Sequence, residues 1–371
     1  MIKNIIKKIY FRIWYLFLKT KDSRVTSEVE AEEKIHSELK EDNDTVVLNA
    51  SVAEVPENRD GIVTIISDDG FFESGLILSQ LAKKYKLRVT IAGAVSIIKP
   101  HLQEWKKIVS ENFVELVNHS YSHIGMREDG PIGKNRDRLY YEIIAAKLWF
   151  EKHFLKNQIT FVCPENMMSD AGYKIIKEKN IFAVRKGNRG YNSLKPEEGI
   201  ECGDWYNLMV QGIGDKDVDT ATRNSWVNVA AQNRKWLIEM WHNVAKEDDG
   251  LYQTILATEA EEHLSYIAEK QSENSIWVAT FTDAVKYIRE RQITEVKAHL
   301  CKGKILVSAT MGGKLSKHIF NYPLTVQIQV PQELQKSSFF IGEKKLQINK
   351  QGNILMEIIP DSGMKEILIE K

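Results

Sequence analysis

Apolar positions recur with two different periods from residue 61 onward. Short β-branched runs such as GIVTIIS (61–67) end at turn residues and predict buried strands, whereas SGLILSQLAKKY (74–85) has the apolar spacing of a helix. Further segments repeat the two patterns: strands at 87–94, 113–119, 159–165 and 181–187, and helices at 101–110, 138–154, 170–180 and 280–291. Such alternation predicts an α/β fold with a parallel sheet and helical crossovers, open or closed into a barrel.

The pattern changes after the last of these helices. Short apolar runs separated by Gly, Pro and Asn follow: ILVSAT (305–310), LTVQIQV (324–330), SFFIGEKKLQI (338–348) and NILMEIIP (353–360). This texture predicts a small all-β, sandwich-like domain over residues 296–371. The preceding α/β domain is expected to cover residues 46–295.

The first 19 residues combine a broad apolar face with a basic stripe that includes Lys8 and Arg12. This pattern is typical of an amphipathic helix in a membrane interface. An uncleaved signal segment and a helix packed on its own domain are the alternatives. Arg12 interrupts the apolar region and no small-residue cleavage site follows, so a cleavable signal peptide fits worse. We therefore expect a membrane-associated or cell-envelope protein, with the cytoplasmic face slightly favoured, and an acid-rich linker over residues 20–45.

Charge and cysteine content exclude some classes of protein. The 371 residues contain 51 Lys and Arg and 51 Asp and Glu, which leaves a formal net charge of +0. A nucleic-acid-binding protein usually has a basic surplus, so no nucleic-acid partner is expected. Three widely spaced cysteines are too few for a disulfide framework or a zinc ribbon.

Ionisable side chains follow two of the predicted strands. Asp68 and Asp69 come directly after the strand at 61–67, and His119 and His123 lie at the end of the strand at 113–119. The carboxyl ends of parallel strands meet at one edge. One carboxylate with two imidazoles would suit zinc or another divalent metal.

The second carboxylate of the pair would remain free to act as a base. Zinc proteases with an HxxxH pattern carry Glu directly after the first histidine, but Ser120 occupies that position here. Asp68 is the candidate for the missing base. The alternative is that His119 and His123 are two solvated histidines in a polar turn.

Two motifs resemble those of a known family. ISDDG (66–70) and NHSYSH (118–123) are similar to the first and second motifs of the polysaccharide deacetylases, the carbohydrate esterase family 4 or NodB-homology group. The resemblance covers about residues 60–295 and implies a distorted (β/α)7 barrel. It also implies that Asp68 is the general base and that Asp69, His119 and His123 bind one divalent metal, zinc in the first place, with cobalt, nickel or manganese as alternatives.

The third motif of that family is matched only in part. It usually reads Arg-x-Pro-aromatic, whereas VCPEN (162–166) keeps Pro164, with Val162 in place of the arginine and Glu165 in place of the aromatic residue. The backbone N–H of Glu165 could still serve an oxyanion hole. The loss of the arginine leaves open which residue orients Asp68.

The fourth and fifth motifs have counterparts in ECGDW (201–205) and EMWH (239–242). The resemblance implies that His242 is the general acid, with Asp204 as the partner that holds its other ring nitrogen. The alternatives are that Asp204 and Trp205 only close a strand and fill the barrel mouth, and that His242 makes a structural hydrogen bond.

The sequence context of other residues also predicts roles for them. Trp205, Trp241 and Tyr121 are candidates for stacking on a pyranose ring, although Tyr121 is as well explained by packing. Cys163 and Cys202 are expected to be buried small side chains rather than ligands. The remaining histidines have helical or surface-like contexts and are expected to be solvated: His36, His101, His153, His263, His299 and His318.

These features together predict a metal-dependent hydrolase that removes the N-acetyl group of an amino sugar in a polysaccharide or glycan. The first alternative is a deacylase or deformylase of a lipid-linked or small N-acyl compound. The second is an inactive glycan-binding homologue, because the third motif is degenerate. The expected partners are an N-acetylated glycan or a lipid-linked saccharide and, through residues 1–19, a membrane surface. The sequence does not determine the oligomeric state.

Overall fold

A computed structural model describes residues 45–194 and 205–370. The predicted amphipathic helix, most of the predicted linker, and Cys202 and Asp204 lie outside these residues. The described chain forms two compact units, one of residues 53–292 with 315–322, and one of residues 45–52, 293–314 and 323–370. No helix in the described ranges has the length and apolar character needed to cross a membrane.

The elements of the larger unit alternate along the chain as the sequence predicts. Its strands are β3 (Gly61–Ser67), β4 (Val89–Gly93), β5 (Val114–Asn118), β6 (Thr160–Val162), β7 (Ala183–Arg189), β8 (Asn192–Ser193), β9 (Leu208–Gly212), β10 (Lys235–Trp241), β11 (Asn243–Ala245), β12 (Thr254–Leu256) and β13 (Ile276–Val278). Its helices are α1 (Phe72–Tyr85), α2 (Val95–Ile98), α3 (Leu102–Ser110), α4 (Arg136–Tyr140), α5 (Ala146–Phe154), α6 (Asp170–Glu178), α7 (Thr220–Gln232), α8 (Ala257–Ser272) and α9 (Phe281–Ile293).

Seven parallel strands close into a barrel in the order β3, β4, β5, β6, β7, β9 and β10. The ring closes because β10 pairs with β3 along most of its length, from Trp236 opposite Ile62 to Trp241 opposite Ser67. The other edge of β3 is shared, since β13 pairs with its first residues and β4 only with its last two. This uneven pairing distorts the barrel, and the (β/α)7 architecture predicted from the motifs is confirmed.

Side chains alternate between the interior of the barrel and its helical coat. The interior contains residues of one parity in each strand: Ile62, Ile66, Ala92, Val117, Val162, Ala183, Ile238 and Met240. Their neighbours point outward into the helix layer, including Val63, Ile65, Val89, Ile91, Leu116 and Leu237. Because successive strand residues face opposite sides, the residue two places beyond the last interior apolar residue of a strand also faces the barrel mouth.

The smaller unit is all-β, as predicted. Its strands are β1 (Val46–Leu48), β2 (Ala50–Val52), β14 (Thr294–Cys301), β15 (Lys304–Met311), β16 (Leu324–Gln329), β17 (Ser338–Ile341), β18 (Lys344–Leu346), β19 (Asn353–Ile358) and β20 (Lys365–Glu370). They form a six-stranded sheet and a three-stranded sheet that enclose one apolar core.

The predicted boundary between the two domains needs a correction at the amino-terminal side. The sequence pattern predicts that residues 46–52 belong to the barrel domain, but β1 pairs antiparallel with β14 and β2 with β16. These two short strands therefore belong to the all-β unit. Conversely, residues 315–322 belong to the barrel unit. Pairing between strands that are far apart in sequence leaves no trace in the local pattern of either strand.

Candidate metal and acid–base site

The two adjacent carboxylates lie at the carboxyl end of β3. Asp68 has the interior parity of Ile66, and its backbone N–H donates to the Trp241 carbonyl at 2.8 Å, which extends the pairing with β10. Asp69 then turns the chain with a φ of 70°, and Gly70 follows with a φ of 82°. A side chain at residue 70 would also collide with Ile98, so this turn favours glycine on two grounds. The turn directs the two carboxylates into different surroundings.

The two histidines lie in a turn after β5 and not on a helix. The His119 N–H donates to the Gly93 carbonyl of β4 at 3.0 Å, which places the residue at the strand edge. Ser120 and His123 have φ values of 74° and 58°, and the His123 N–H donates to Ser120 Oγ at 2.9 Å. The irregular turn brings two imidazoles four residues apart onto the same side.

Buried polar side chains hold this turn in place. Glu142 is fully buried and accepts hydrogen bonds from the backbone N–H groups of Tyr121 at 3.1 Å and Ser122 at 2.8 Å. It lies in a single π-helical turn over residues 141–145, between α4 and α5. Such turns are rare in proteins overall, and those that occur are often located at functional sites. Asn118 Oδ1 also accepts from the Ser120 N–H at 2.9 Å, so the turn is fixed from two sides.

Asp69, His119 and His123 form a compact cluster. Asp69 Oδ1 lies 2.9 Å from His123 Nε2 and 3.5 Å from His119 Nε2. The ring of His119 is oriented by Nδ1, which lies 2.9 Å from the Val162 carbonyl. Because a carbonyl only accepts, Nδ1 carries the proton and Nε2 is left with its lone pair toward the cluster.

This set of donor atoms fits a divalent metal. One carboxylate oxygen and two imidazole nitrogens lie within 4.8 Å of one another, and no other group of this kind occurs among the residues that the structure describes. Two nitrogens and one oxygen are typical ligands of catalytic zinc and leave a coordination position for water or substrate. Asp69, His119 and His123 would hold the ion.

The cluster also shifts the pKa values of its members. Burial raises the pKa of Asp69, but hydrogen bonds and charge from His119 and His123 outweigh burial and hold this pKa well below its ordinary value. The hydrogen bond with Asp69 raises the pKa of His123 above its ordinary value, although burial opposes this shift. Both shifts express the same attraction between a carboxylate and two imidazoles, which a cation would replace.

Asp68 stands outside this cluster and is paired with Arg185 of β7. Both side chains are buried, and Nη2 of Arg185 donates to both carboxylate oxygens of Asp68. The Nη1 of Arg185 donates to Asn166 Oδ1 at 2.8 Å. Sequence reasoning missed Arg185, although a cation on the interior parity of a predicted strand, two residues after Ala183, is an unusual feature that could have identified it.

His242 lies beside Asp68, directly after β10. Its Nε2 is 3.9 Å from Asp68 Oδ2, and its carbonyl accepts from Ser67 Oγ at 3.1 Å. Burial lowers the pKa of His242, and the nearby carboxylates offset this effect only in part. Its Nδ1 is buried without a hydrogen-bond partner among the described residues. Asp204 lies outside them, so its predicted role at this atom stays a prediction.

The two tryptophans predicted to stack on a sugar do not face the site. Trp241 is fully buried and points outward into the helix layer, where Nε1 donates to Glu239 Oε2 at 3.1 Å. Trp205 packs on Trp236, near the amino-terminal end of the barrel, and lies under the guanidinium of Arg289 at 4.2 Å. The stacking prediction is wrong for both. Side chains alternate along β10, which directs Trp241 into the helix layer, and Trp205 packs on Trp236 at the other end of the barrel.

The structure supports the predicted roles of the third-motif residues less clearly than those of the metal-ligand cluster. Pro164 is buried two residues after β6, whereas Glu165 is exposed with a φ of 53°. The carboxylate of Glu165 lies against Gly125, two residues beyond His123. The oxyanion role of the Glu165 backbone N–H stays a prediction. Tyr121 is half-buried, with its ring 4.6 Å from that of Tyr141, which fits the packing alternative.

An aromatic side chain that the sequence did not single out lies beside the site. Tyr252 is 70% exposed, and its ring contacts that of His242 edge-on at a centroid distance of 4.9 Å. It lies in the irregular loop between β11 and β12, where no periodic pattern distinguishes it. Only its contact with His242 in the folded structure identifies Tyr252 as a residue of the site.

Two further predictions concern residues away from the site. His263 was expected to be solvated, but it is fully buried in α8, with Nε2 2.9 Å from Glu239 Oε1 and Nδ1 2.7 Å from Asn224 Oδ1. The prediction is wrong because α8 packs this face on β10. Cys163 is buried, as expected, and burial raises the pKa of its thiol to about 12, which makes it a poor nucleophile.

No protein-family model matches this sequence, and no curated protein matches it. Solved structures do match it in part. A putative polysaccharide deacetylase from Mycobacterium smegmatis matches at 10% identity over 67% of this chain and 96% of its own, with a TM-score of 0.46. A family 4 acetyl xylan esterase from Clostridium thermocellum, in complex with a cobalt ion, matches at 17% identity over 61% and 91%, with a TM-score of 0.41.

A pseudoenzyme of carbohydrate esterase family 4 from Bacillus anthracis is also similar. It matches at 18% identity over 62% of this chain and 66% of its own, with a TM-score of 0.39. The matched structures thus include an esterase and a pseudoenzyme.

Proposed function

We propose that this protein is a metal-dependent hydrolase that removes the N-acetyl group of an amino sugar in a glycan. The observation that carries the proposal is the division of two adjacent carboxylates between two tasks. Asp69 lies within reach of both His119 and His123, whereas Asp68 is held apart by Arg185 and lies beside His242. A ligand cluster with an unliganded acid next to it is an arrangement suited to metal-dependent hydrolysis of an amide.

The residues of the chain divide the proton transfers between them. Asp68 accepts the proton of the attacking water, and His242 donates a proton to the departing amine nitrogen. His242 Nε2 lies 3.9 Å from Asp68 Oδ2, a distance that supports the action of both groups on one bound amide. The lowered pKa of His242 makes its protonated form a stronger acid. A divalent ion at the cluster would supply Lewis acidity that polarises the acyl carbonyl and makes water easier to deprotonate.

The surface beside the acid supports a sugar as the substrate. The exposed ring of Tyr252 next to His242 offers an apolar face with a polar edge. Such a ring stacks well on a pyranose, which also has apolar faces and polar edges. An N-acetylated glycan is therefore preferred to a small N-acyl compound, which would leave this ring unused.

The direct test is release of acetate. The full chain, freed of metal and reloaded with zinc or cobalt, is incubated with N-acetylglucosamine oligomers and, separately, with lipid-linked N-acetyl sugars. We expect acetate from the oligomers, and loss of this activity when a chelator removes the metal. Release of acetate or formate only from lipid-linked or small compounds would favour the deacylase alternative.

The glycan-binding alternative predicts a different result in the same assay. A binder would retain the oligomers in an affinity measurement but release no acyl group with any metal. That outcome would contradict the proposed activity, although the ligand cluster and the barrel would stand.

A further inference from the structure

The buried pair of Asp68 and Arg185 joins two strands that are not neighbours in the barrel. Both side chains have interior parity, and the guanidinium contacts both carboxylate oxygens. Asn166 accepts from Nη1 of Arg185 at 2.8 Å, so the guanidinium is held from a second side. An arginine that is buried and paired on two sides has one orientation available to it, and it transfers this restriction to the carboxylate.

Strand pairing places Arg185 directly beside a residue of the third motif. Val162 of β6 lies directly opposite Arg185 of β7 in the parallel pairing. Val162 has interior parity and is buried in the barrel core. Residues paired in adjacent strands point to the same face. The arginine of the motif is thus replaced by valine at residue 162, and an arginine stands one strand away, on the same face and at the same level.

We propose that Arg185 is the positioning residue for Asp68, and that the cation expected at residue 162 has moved to β7. The inference rests on the proposed function, because it assigns a partner to the base of that reaction. Arg185 supplies the counter-charge that a buried carboxylate needs and fixes the direction of its oxygens. The valine at residue 162 then marks a rearranged site and does not by itself indicate a pure binding protein.

The neighbouring cation on the same strand does not serve Asp68. Lys186 has the opposite parity, and its ammonium group lies 5.8 Å from the ring centroid of Tyr173 on α6. A change at Lys186 removes a positive charge one residue away without touching Asp68. It is therefore the matched control for a change at Arg185.

The experiment compares kcat, KM and bound metal in four variants of the full chain. Arg185→Met is expected to lower kcat by about 10–100-fold, with KM and metal content close to those of the wild type, because it affects only the orientation of the base. Lys186→Met is expected to keep all three. Restoring the cation from the other strand, in Val162→Arg combined with Arg185→Val, is expected to recover at least about tenfold in kcat over Arg185→Val alone.

The outcomes separate this inference from the proposed function. An inactive wild type contradicts the proposed function. An active wild type with an equally active Arg185→Met variant overturns this inference, and so does a folded, metal-loaded transposed variant that is no better than Arg185→Val. If thermal unfolding shows that Arg185→Met is not folded, Arg185→Lys carries the test: a kcat below that of the wild type with KM retained supports the inference, and an unchanged kcat overturns it.

Discussion

The two halves of the candidate site are built in different ways. The ligand half consists of Asp69, His119 and His123, which lie in short turns that follow β3 and β5. The base half consists of Asp68, Arg185 and His242, which come from the ends or the body of β3, β7 and β10. Local turn chemistry builds the first half, whereas closure of the barrel builds the second.

The two halves also differ in their exposure to solvent. His123 is about one-third exposed, so the ligand half opens toward solvent, where an ion can enter. The pair of Asp68 and Arg185 is buried, so its geometry is restricted by packing on all sides. Variants should therefore separate loss of metal from loss of proton transfer.

The largest effect is expected from His119→Ala combined with His123→Ala. This variant removes two of the three ligands and should lose metal and activity together, by about 10³-fold or more in rate, because Lewis-acid stabilisation of the transition state is worth several kcal/mol. Metal analysis and acetate release on the same sample test it. His153→Ala, at a helix position with its ring against Trp149, is the control that should keep both. An unchanged metal content in the double variant would refute the ligand assignment.

A smaller and more selective effect is expected from Asp68→Asn. The change keeps the shape of the side chain and an acceptor for Arg185 but removes the base. The variant should retain its metal and lose about 10²–10⁴-fold in turnover, the usual contribution of a general base. Hydrolysis at the wild-type rate would show that the assigned role is wrong. Together with the double histidine variant, it tests whether the two halves are separable.

The smallest effect is expected from Tyr252→Ala, which lies beside the base half but outside the proton transfers. Loss of one aromatic contact should raise KM for glycan oligomers by about threefold to tenfold and leave kcat nearly unchanged. Tyr252→Phe should keep the wild-type KM, because it keeps the ring. Tyr140→Ala on α4 is a control for loss of an exposed tyrosine elsewhere. An equal KM in Tyr252→Ala and the wild type would remove the stacking argument.

The sequence predicts the strands and helices of the barrel well because each has a local pattern with a clear end. β3 begins and ends where its apolar run does, since a charged turn with Gly70 follows it. The sequence does not predict the correct domain for β1 and β2, because their partner strands lie about 250 to 280 residues away. Whether a short segment forms a strand depends on its pairing with other strands, and the local sequence does not show that pairing.

The ligand half could be predicted for a similar reason. Asp69, His119 and His123 belong to two compact motifs, and the structure brings them together. Arg185 has no motif, and its role follows only from its register with Val162. Trp241 is the opposite case. Its position next to His242 in the sequence suggests that both residues serve the site, but alternation along β10 directs the Trp241 side chain into the helix layer and away from His242.

The seam of the barrel, where the Asp68 N–H donates to the Trp241 carbonyl, would give the proposed enzyme a second way to lose activity. The proposed base and the proposed acid follow the two strands that close the ring, so their alignment depends on the closed ring. A perturbation that loosens the seam would spoil proton transfer while the ion stays in its place. A preparation with full metal loading can thus still be a poor catalyst, and metal content alone is no measure of an intact site.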